Sequence, residues 1–244
     1  MENNTLGIQP IFSSFLITKK LDLDTKSIKT WIEKSSRTDG KIPLTFNEIV
    51  LKDFYLNLNE ILDNLHIALG FSKNTKQKFQ EAWVNVEPRE TISVPHTHPS
   101  ADFICVYYPY VEHGSGNLEL RNPISAIEYI FPQSRENTVI DSYNLFNSKI
   151  WQIVPENNLL VIFPSWLQHY VRQGNSNTTR ISIALNSKIV SNNIYYHITK
   201  TLAKKLNNNS LRIQIHRLLN LAHKQLKPSI IKNLMLPVIL INQQ

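Results

Sequence analysis

His96-Thr97-His98-Pro99, set directly before the apolar run Phe103 to Pro109, constrains this chain more than any other stretch. On a strand, residues two apart project to the same face, so the two imidazoles aim together. Neutral imidazole suits Fe, Zn and Cu, which makes such a pair a natural set of metal ligands. Pro99 has no N–H for a ladder, so the strand ends or bulges there and leaves the histidines at a rim. The plainer alternative is a pair of solvated loop histidines beside a turn.

A second constellation follows at residues 157–186. Leu159 to Phe163 forms a buried-looking strand, His169 supplies a third imidazole, and Arg180 and Ser182 come after it. Gly174-Asn175 suits a two-residue hairpin turn with glycine at the first central position. A hairpin centred there sets His169 opposite Arg180, with Cβ atoms roughly 5 Å apart. Arg180 stands beside Ile181, Ile183 and Leu185. A charge alternating with apolar residues needs a partner or an anion.

Taken together, these motifs resemble the Fe(II)- and 2-oxoglutarate-dependent oxygenases. Their pattern is HxD, a sheet segment, a distal His, and then Arg-x-Ser about ten residues on. His96-Thr97-His98 falls in the first slot, His169 in the second, and Arg180-Ile181-Ser182 in the third. Cys105 to Pro109 (CVYYP) is similar to the CIYYLN strand of the prolyl-hydroxylase branch. The first tyrosine of that pair contacts 2-oxoglutarate, which carries over to Tyr107. Gly114 to Leu120 (GSGNLEL) resembles the following glycine-containing strand, and FPSWLQH resembles a bacterial and phage subfamily with HxHP and a late FPSxxxH. The resemblance covers roughly residues 80–187. It implies Fe(II) on His96, His98 and His169, and 2-oxoglutarate held by Arg180, Ser182 and Tyr107. Its chemistry is conversion of 2-oxoglutarate and O2 to succinate and CO2 while a substrate is oxidised, as in a hydroxylase.

One position departs from the pattern. The carboxylate of the usual two-histidine, one-carboxylate triad is replaced by His98. Either three histidines hold the metal, or Asp102 substitutes for His98. Four residues of extended strand span about 13 Å, so Asp102 needs a fold-back at Pro99-Ser100. Spacing favours His98.

The expected fold is α+β but mainly β. A double-stranded β-helix (jelly-roll) core runs from about residue 80, with helices before it and a basic helical extension after it. Residues 1–187 then form the oxygenase-like domain and 188–244 the extension. Before the core, residues 6–17 suit an early strand, and Asp24 or Thr25 caps a short helix through Trp31 and Ile32. Residues 37–41 form a loop. A strong helix carries Ile49, Phe54, Leu58, Ile61, Leu62, Leu65 and Leu69 on one face and ends at Gly70. His66 is expected on that helix's surface. A short helix is expected from Asn74 to about Gln80, then a strand over 82–88 whose Asn85 faces either the cavity or solvent. From 92 to 186 short strands alternate with Pro, Gly and Asn clusters, which suits a jelly roll. Residues 124–143 are the least regular part, a lid or insertion where substrate selection would reside. His113 is expected solvated in a turn, while Trp166 and Tyr170 should pack the cavity wall. His197, His216 and His223 have no ligand spacing.

The single cysteine, Cys105, excludes an intramolecular disulfide and suits a buried position. No signal pattern or membrane-length apolar run is present, so the expectation is a soluble, cytoplasmic protein. From Asn157 onward there is no Asp or Glu, and nine of the basic residues lie between Lys188 and Gln244. Ser210 can cap a basic amphipathic helix through Leu226. Such a helix either packs on the β domain or meets a membrane surface or protein partner. Nucleic-acid binding is disfavoured, because few aromatics are there to stack bases. Two other classes fit the same motifs: a cupin-type metalloenzyme in which Arg180 binds a substrate carboxylate, and a non-catalytic jelly-roll module. The substrate is an organic molecule or peptide side chain of unstated identity.

Overall fold

The computed structural model describes residues 14–35, 40–88, 91–124, 141–175 and 179–191. Contacts divide the chain into two units, residues 1–69 with 77–189 and residues 70–76 with 190–244. Every site residue discussed below belongs to the first. The expectations for 124–143 (beyond its ends), for the basic helix and for His197, His216 and His223 lie outside the described residues.

The described chain is mostly antiparallel sheet. Strand β1 spans Ile17–Lys20, helix α1 Thr25–Lys34, β2 Gly40–Pro43 and helix α2 Lys52–Ala68, the last preceded by one 3-10 turn at Ile49–Leu51. Then follow β3 Thr75–Glu87, β4 Phe103–Tyr110, β5 Leu118–Arg121, β6 Ile150–Ile153, β7 Leu159–Pro164, β8 His169–Val171 and β9 Arg180–Ser191. One sheet has the order β1-β7-β4-β9-β3-β2 and the other β6-β5-β8. Residues 93–96 extend the small sheet, since Ser93 N–H donates to Val171 O and His96 bridges to His169. From β3 to β9 the chain therefore passes repeatedly from one sheet to the other, which is the winding of a jelly roll.

Both faces of the large sheet are covered. Ile104, Val106 and Tyr108 of β4 pack with Leu118, Leu120 and Ile153 of the small sheet. Cys105 and Tyr107, of opposite parity, pack under α1 and α2 with Ile28, Phe54 and Leu58. Alternation along a strand dictates this division. The α1 start is as expected: Asp24 Oδ1 accepts the Ser27 N–H at 3.1 Å, and the Ser27 hydroxyl donating to Asp24 Oδ2 at 2.6 Å, with that backbone bond, holds its carboxyl below the ordinary value.

Several expectations shift. Of the early strand expected over 6–17, residues 6–13 lie outside the described residues, 14–16 are not strand, and β1 starts at Ile17. Residues from Thr75 continue β3 where a short helix was expected; sheet pairing overrides the weak local preference of a charged, alternating run. His66 lies on the buried face of α2 beside Gln77, 3.4 Å away, not on its surface. The expected hairpin at Gly174-Asn175 does not form. β8 pairs β5 in the small sheet whereas β9 pairs β4 in the large one, so His169 and Arg180 are not cross-strand partners. Instead residues 172–175 run on beside 114–117, with Arg172 N–H donating to Asn117 O and Asn175 N–H to Gly114 O. A Cβ on Gly174 would lie 2.5 Å from Gly116 N, so glycine serves close backbone approach here rather than a turn.

Candidate metal centre

Three histidines converge where the two sheets meet at one end. His96 and His169 exchange both backbone bonds at 3.0 Å. His98 N–H donates to Ser165 O at 2.9 Å in the turn after β7. One ring nitrogen from each of His96, His98 and His169 lies within 4.8 Å of the others. His96 is exposed, His98 half-buried and His169 buried, so the group opens to solvent on one side.

Hydrogen bonds orient two of the rings. His96 Nδ1 sits 2.8 Å from Val94 O, and His169 Nδ1 sits 3.0 Å from Leu167 O. A carbonyl accepts only, so each Nδ1 carries the proton and each Nε2 keeps its lone pair. That is the second-sphere arrangement metal-bound histidines use. His98 lacks such a carbonyl. Its ring stacks on Trp83, centroids 6.0 Å apart and nearly parallel. Burial pushes His98 below its ordinary value, His96 adds to this, and Asn186 opposes it. Burial pushes His169 from 6.5 down to about 4. A neutral imidazole at neutral pH is the form that ligates.

This shift has a consequence for stability. The folded value of His169 lies below the unfolded one, so the unfolded chain takes the proton first as pH falls. The contribution is complete above pH 6.5 and is lost between 6.5 and about 4. Metal-free protein should lose about 2–3 kcal/mol more stability between pH 7 and 4.5 than His169→Asn does. Urea melts at both pH values test this; parallel pH profiles would show that His169 does not carry it.

Asp102 does not join the histidines. The chain does turn at Pro99-Ser100, with Ala101 N–H donating to His98 O. Yet Asp102 Oδ2 accepts the Ile189 N–H at 2.7 Å, and the clustered ligand atoms come from the histidines alone among the described residues.

Beside the histidines lies a polar row shared by β3 and β9. Glu81 accepts from Asn186 at 3.3 Å, Asn85 donates to Ser182 at 3.3 Å, and Glu87 ion-pairs Arg180. As residue number rises by two on β3, its partner on β9 falls by two, as neighbouring antiparallel strands require. Asn85 thus faces the inner side, where Trp83 also donates to its Oδ1 at 3.0 Å. Arg180 and Ser182 are buried on this face.

Tyr107 is not on it. Its ring stacks on Phe54 with centroids 4.9 Å apart, and its hydroxyl donates to Asn158 Oδ1 at 2.6 Å. The adjacent Tyr108 takes the inner face; burial pushes its phenol up to about 12, and the Arg180 and Glu87 charges both reach it. Tyr170 likewise alternates away from His169, falling opposite buried Glu119 on the outer face of the small sheet. Trp166 is exposed at 55% beside the His98 turn, rather than packed in a wall. His113 is exposed in its turn and Cys105 is fully buried, as expected. Trp83, Glu87, Tyr108 and Asn186 were given no role from sequence, although strict alternation over 81–87 and 180–186 carries the signal for three of them.

Neutral imidazoles converging at the open end of a jelly roll make a candidate metal centre, and the donor set fits Fe(II). Residues 81–186 match the family described as "Putative 2OG-Fe(II) oxygenase". Among solved structures the chain is similar to a 2OG-Fe(II) oxygenase-family oxidoreductase from Burkholderia pseudomallei (12% identity, TM-score 0.42, 62% of each chain covered). It is also similar to a prolyl-4-hydroxylase from Pseudomonas putida (11% identity, TM-score 0.49, 72% of this chain and 93% of that one). A third is HygX from Streptomyces hygroscopicus with nickel and 2-oxoglutarate bound (10% identity, TM-score 0.48, 72% and 82%). The chain spans 62% of the length of the Burkholderia protein. No curated protein sequence matches it. Among the described residues no helix is long and apolar enough to cross a membrane.

Proposed function

We propose that the chain oxidises an organic substrate, as a hydroxylase does, with Fe(II) held by His96, His98 and His169 and with 2-oxoglutarate as cosubstrate. The observation that carries this is the convergence of those three rings within 4.8 Å, inside the segment that matches the family. The iron, when bound, supplies oxygen activation coupled to conversion of 2-oxoglutarate to succinate and CO2. The chain supplies orientation. Val94 and Leu167 carbonyls fix the His96 and His169 tautomers, and Trp83 holds the His98 ring in plane. Arg180, with Ser182 beside it, takes the far carboxylate of 2-oxoglutarate through charge-assisted bonds. Tyr108 closes that face in place of Tyr107. The proposed oxygenase domain is residues 1–187, with 188–244 an appended basic segment that docks on it or meets a partner. The lone buried cysteine suits a reducing compartment such as the cytoplasm.

Iron titration of two variants tests the ligand set. Asp102→Ala should bind Fe(II) as the native chain does, since its carboxylate serves Ile189 N–H. His98→Asp should also keep iron, because it restores a common two-histidine, one-carboxylate set. Loss of metal in Asp102→Ala would move the third ligand from His98 to Asp102.

A further inference from the structure

Arg180 is buried, yet its guanidinium is only partly satisfied. Nη1 donates to Gly116 O at 2.8 Å, and Nη2 donates to Glu87 Oε2. Nε–H is buried and meets no acceptor among the described residues. Glu87 therefore engages through one oxygen and leaves half of the Nε/Nη2 edge unused. That edge is the one on which a carboxylate takes two parallel N–H···O bonds. The two partners also differ in freedom. The Arg180 side chain is 7% exposed, whereas Glu87 is 19% exposed and ends β3 just before Pro88. Glu87 can swing away from the pair; Arg180 cannot.

A buried guanidinium kept ready for an anion has a physical difficulty, since a buried charge without a partner is strongly destabilising. We propose that Glu87 is an internal stand-in carboxylate. It keeps Arg180 paired while the site is empty and is displaced by one carboxylate of the incoming cosubstrate. Glu87 thus sets the affinity: every ligand must break the Glu87–Arg180 pair, and a bidentate carboxylate succeeds because it also satisfies Nε. This deepens the cosubstrate assignment above and rests on it. It also makes cosubstrate binding and fold stability linked quantities. Removing the Glu87 charge should weaken the empty protein and tighten the liganded one.

The test uses the full chain loaded with Mn(II), with calorimetric titration of 2-oxoglutarate and thermal melts with and without it. Glu87→Gln should bind 2-oxoglutarate at least tenfold more tightly than native. It should melt lower than native without ligand, and the gap should close at saturation. Glu87→Asp, one methylene shorter, should shift affinity in the same direction by a smaller factor, and it decides the matter if Glu87→Gln does not fold. Unchanged or weaker binding in the folded variants overturns the stand-in role while leaving 2-oxoglutarate as cosubstrate. Failure of native and variant alike to bind 2-oxoglutarate, with Mn(II) still bound, overturns the cosubstrate assignment and this role with it.

Discussion

His96→Ala and His169→Ala should each abolish stoichiometric Fe(II) binding while the protein still unfolds cooperatively. A site of three neutral ligands keeps too few donors once one is gone. The two variants should differ in what else they lose. The His96 link to His169 is made by main-chain N–H and C=O, which alanine keeps. Its side chain is exposed, so stability should move by only about 0.5 kcal/mol. His169 is buried with its ring edge-on to Phe163, centroids 4.8 Å apart. Removing it leaves a cavity and should cost about 2–3 kcal/mol. Iron titration beside urea unfolding separates the two effects. Full iron occupancy in either variant would remove that residue from the ligand set.

Gly116→Ala should destabilise the fold by about 3 kcal/mol or more. A Cβ at this position would sit 1.9 Å from Arg172 O and 3.1 Å from its carbonyl carbon. Both are backbone atoms of the segment following β8, so no side-chain rotation relieves the collision. The strands must separate, and the Gly116 carbonyl that accepts from Arg180 moves with them. Destabilisation and weaker 2-oxoglutarate binding should therefore appear together. Near-native melting of Gly116→Ala would mean that the two segments are not in contact.

Why some of this was legible in sequence and some not follows from burial. The α2 helix announced itself because one face is apolar and the other polar: Phe54, Leu58, Leu62 and Leu65 are buried at helical spacing. His96 and His98 could be paired by strand parity alone. In β4 that parity gave no guidance, because α1 and α2 cover one face of the large sheet and the small sheet covers the other. A strand buried on both sides is a continuous apolar run, and nothing in CVYYP says which tyrosine looks inward. Tyr107 was assigned through resemblance and lies on the helix side; Tyr108 is the inner residue. The false hairpin has a similar cause. Gly174 does mark a special backbone position, but the special feature is close approach to residues 114–116, which is a long-range fact. His66 follows the same logic, being buried by a strand that sequence assigned to a short helix.

Turnover of 2-oxoglutarate is the most direct test of the central assignment. Fe(II)-loaded native chain, incubated with 2-oxoglutarate in air, should release succinate and CO2 in equal amounts, and His169→Ala should release neither. Intact 2-oxoglutarate after incubation with a chain carrying its full complement of iron would contradict the assignment.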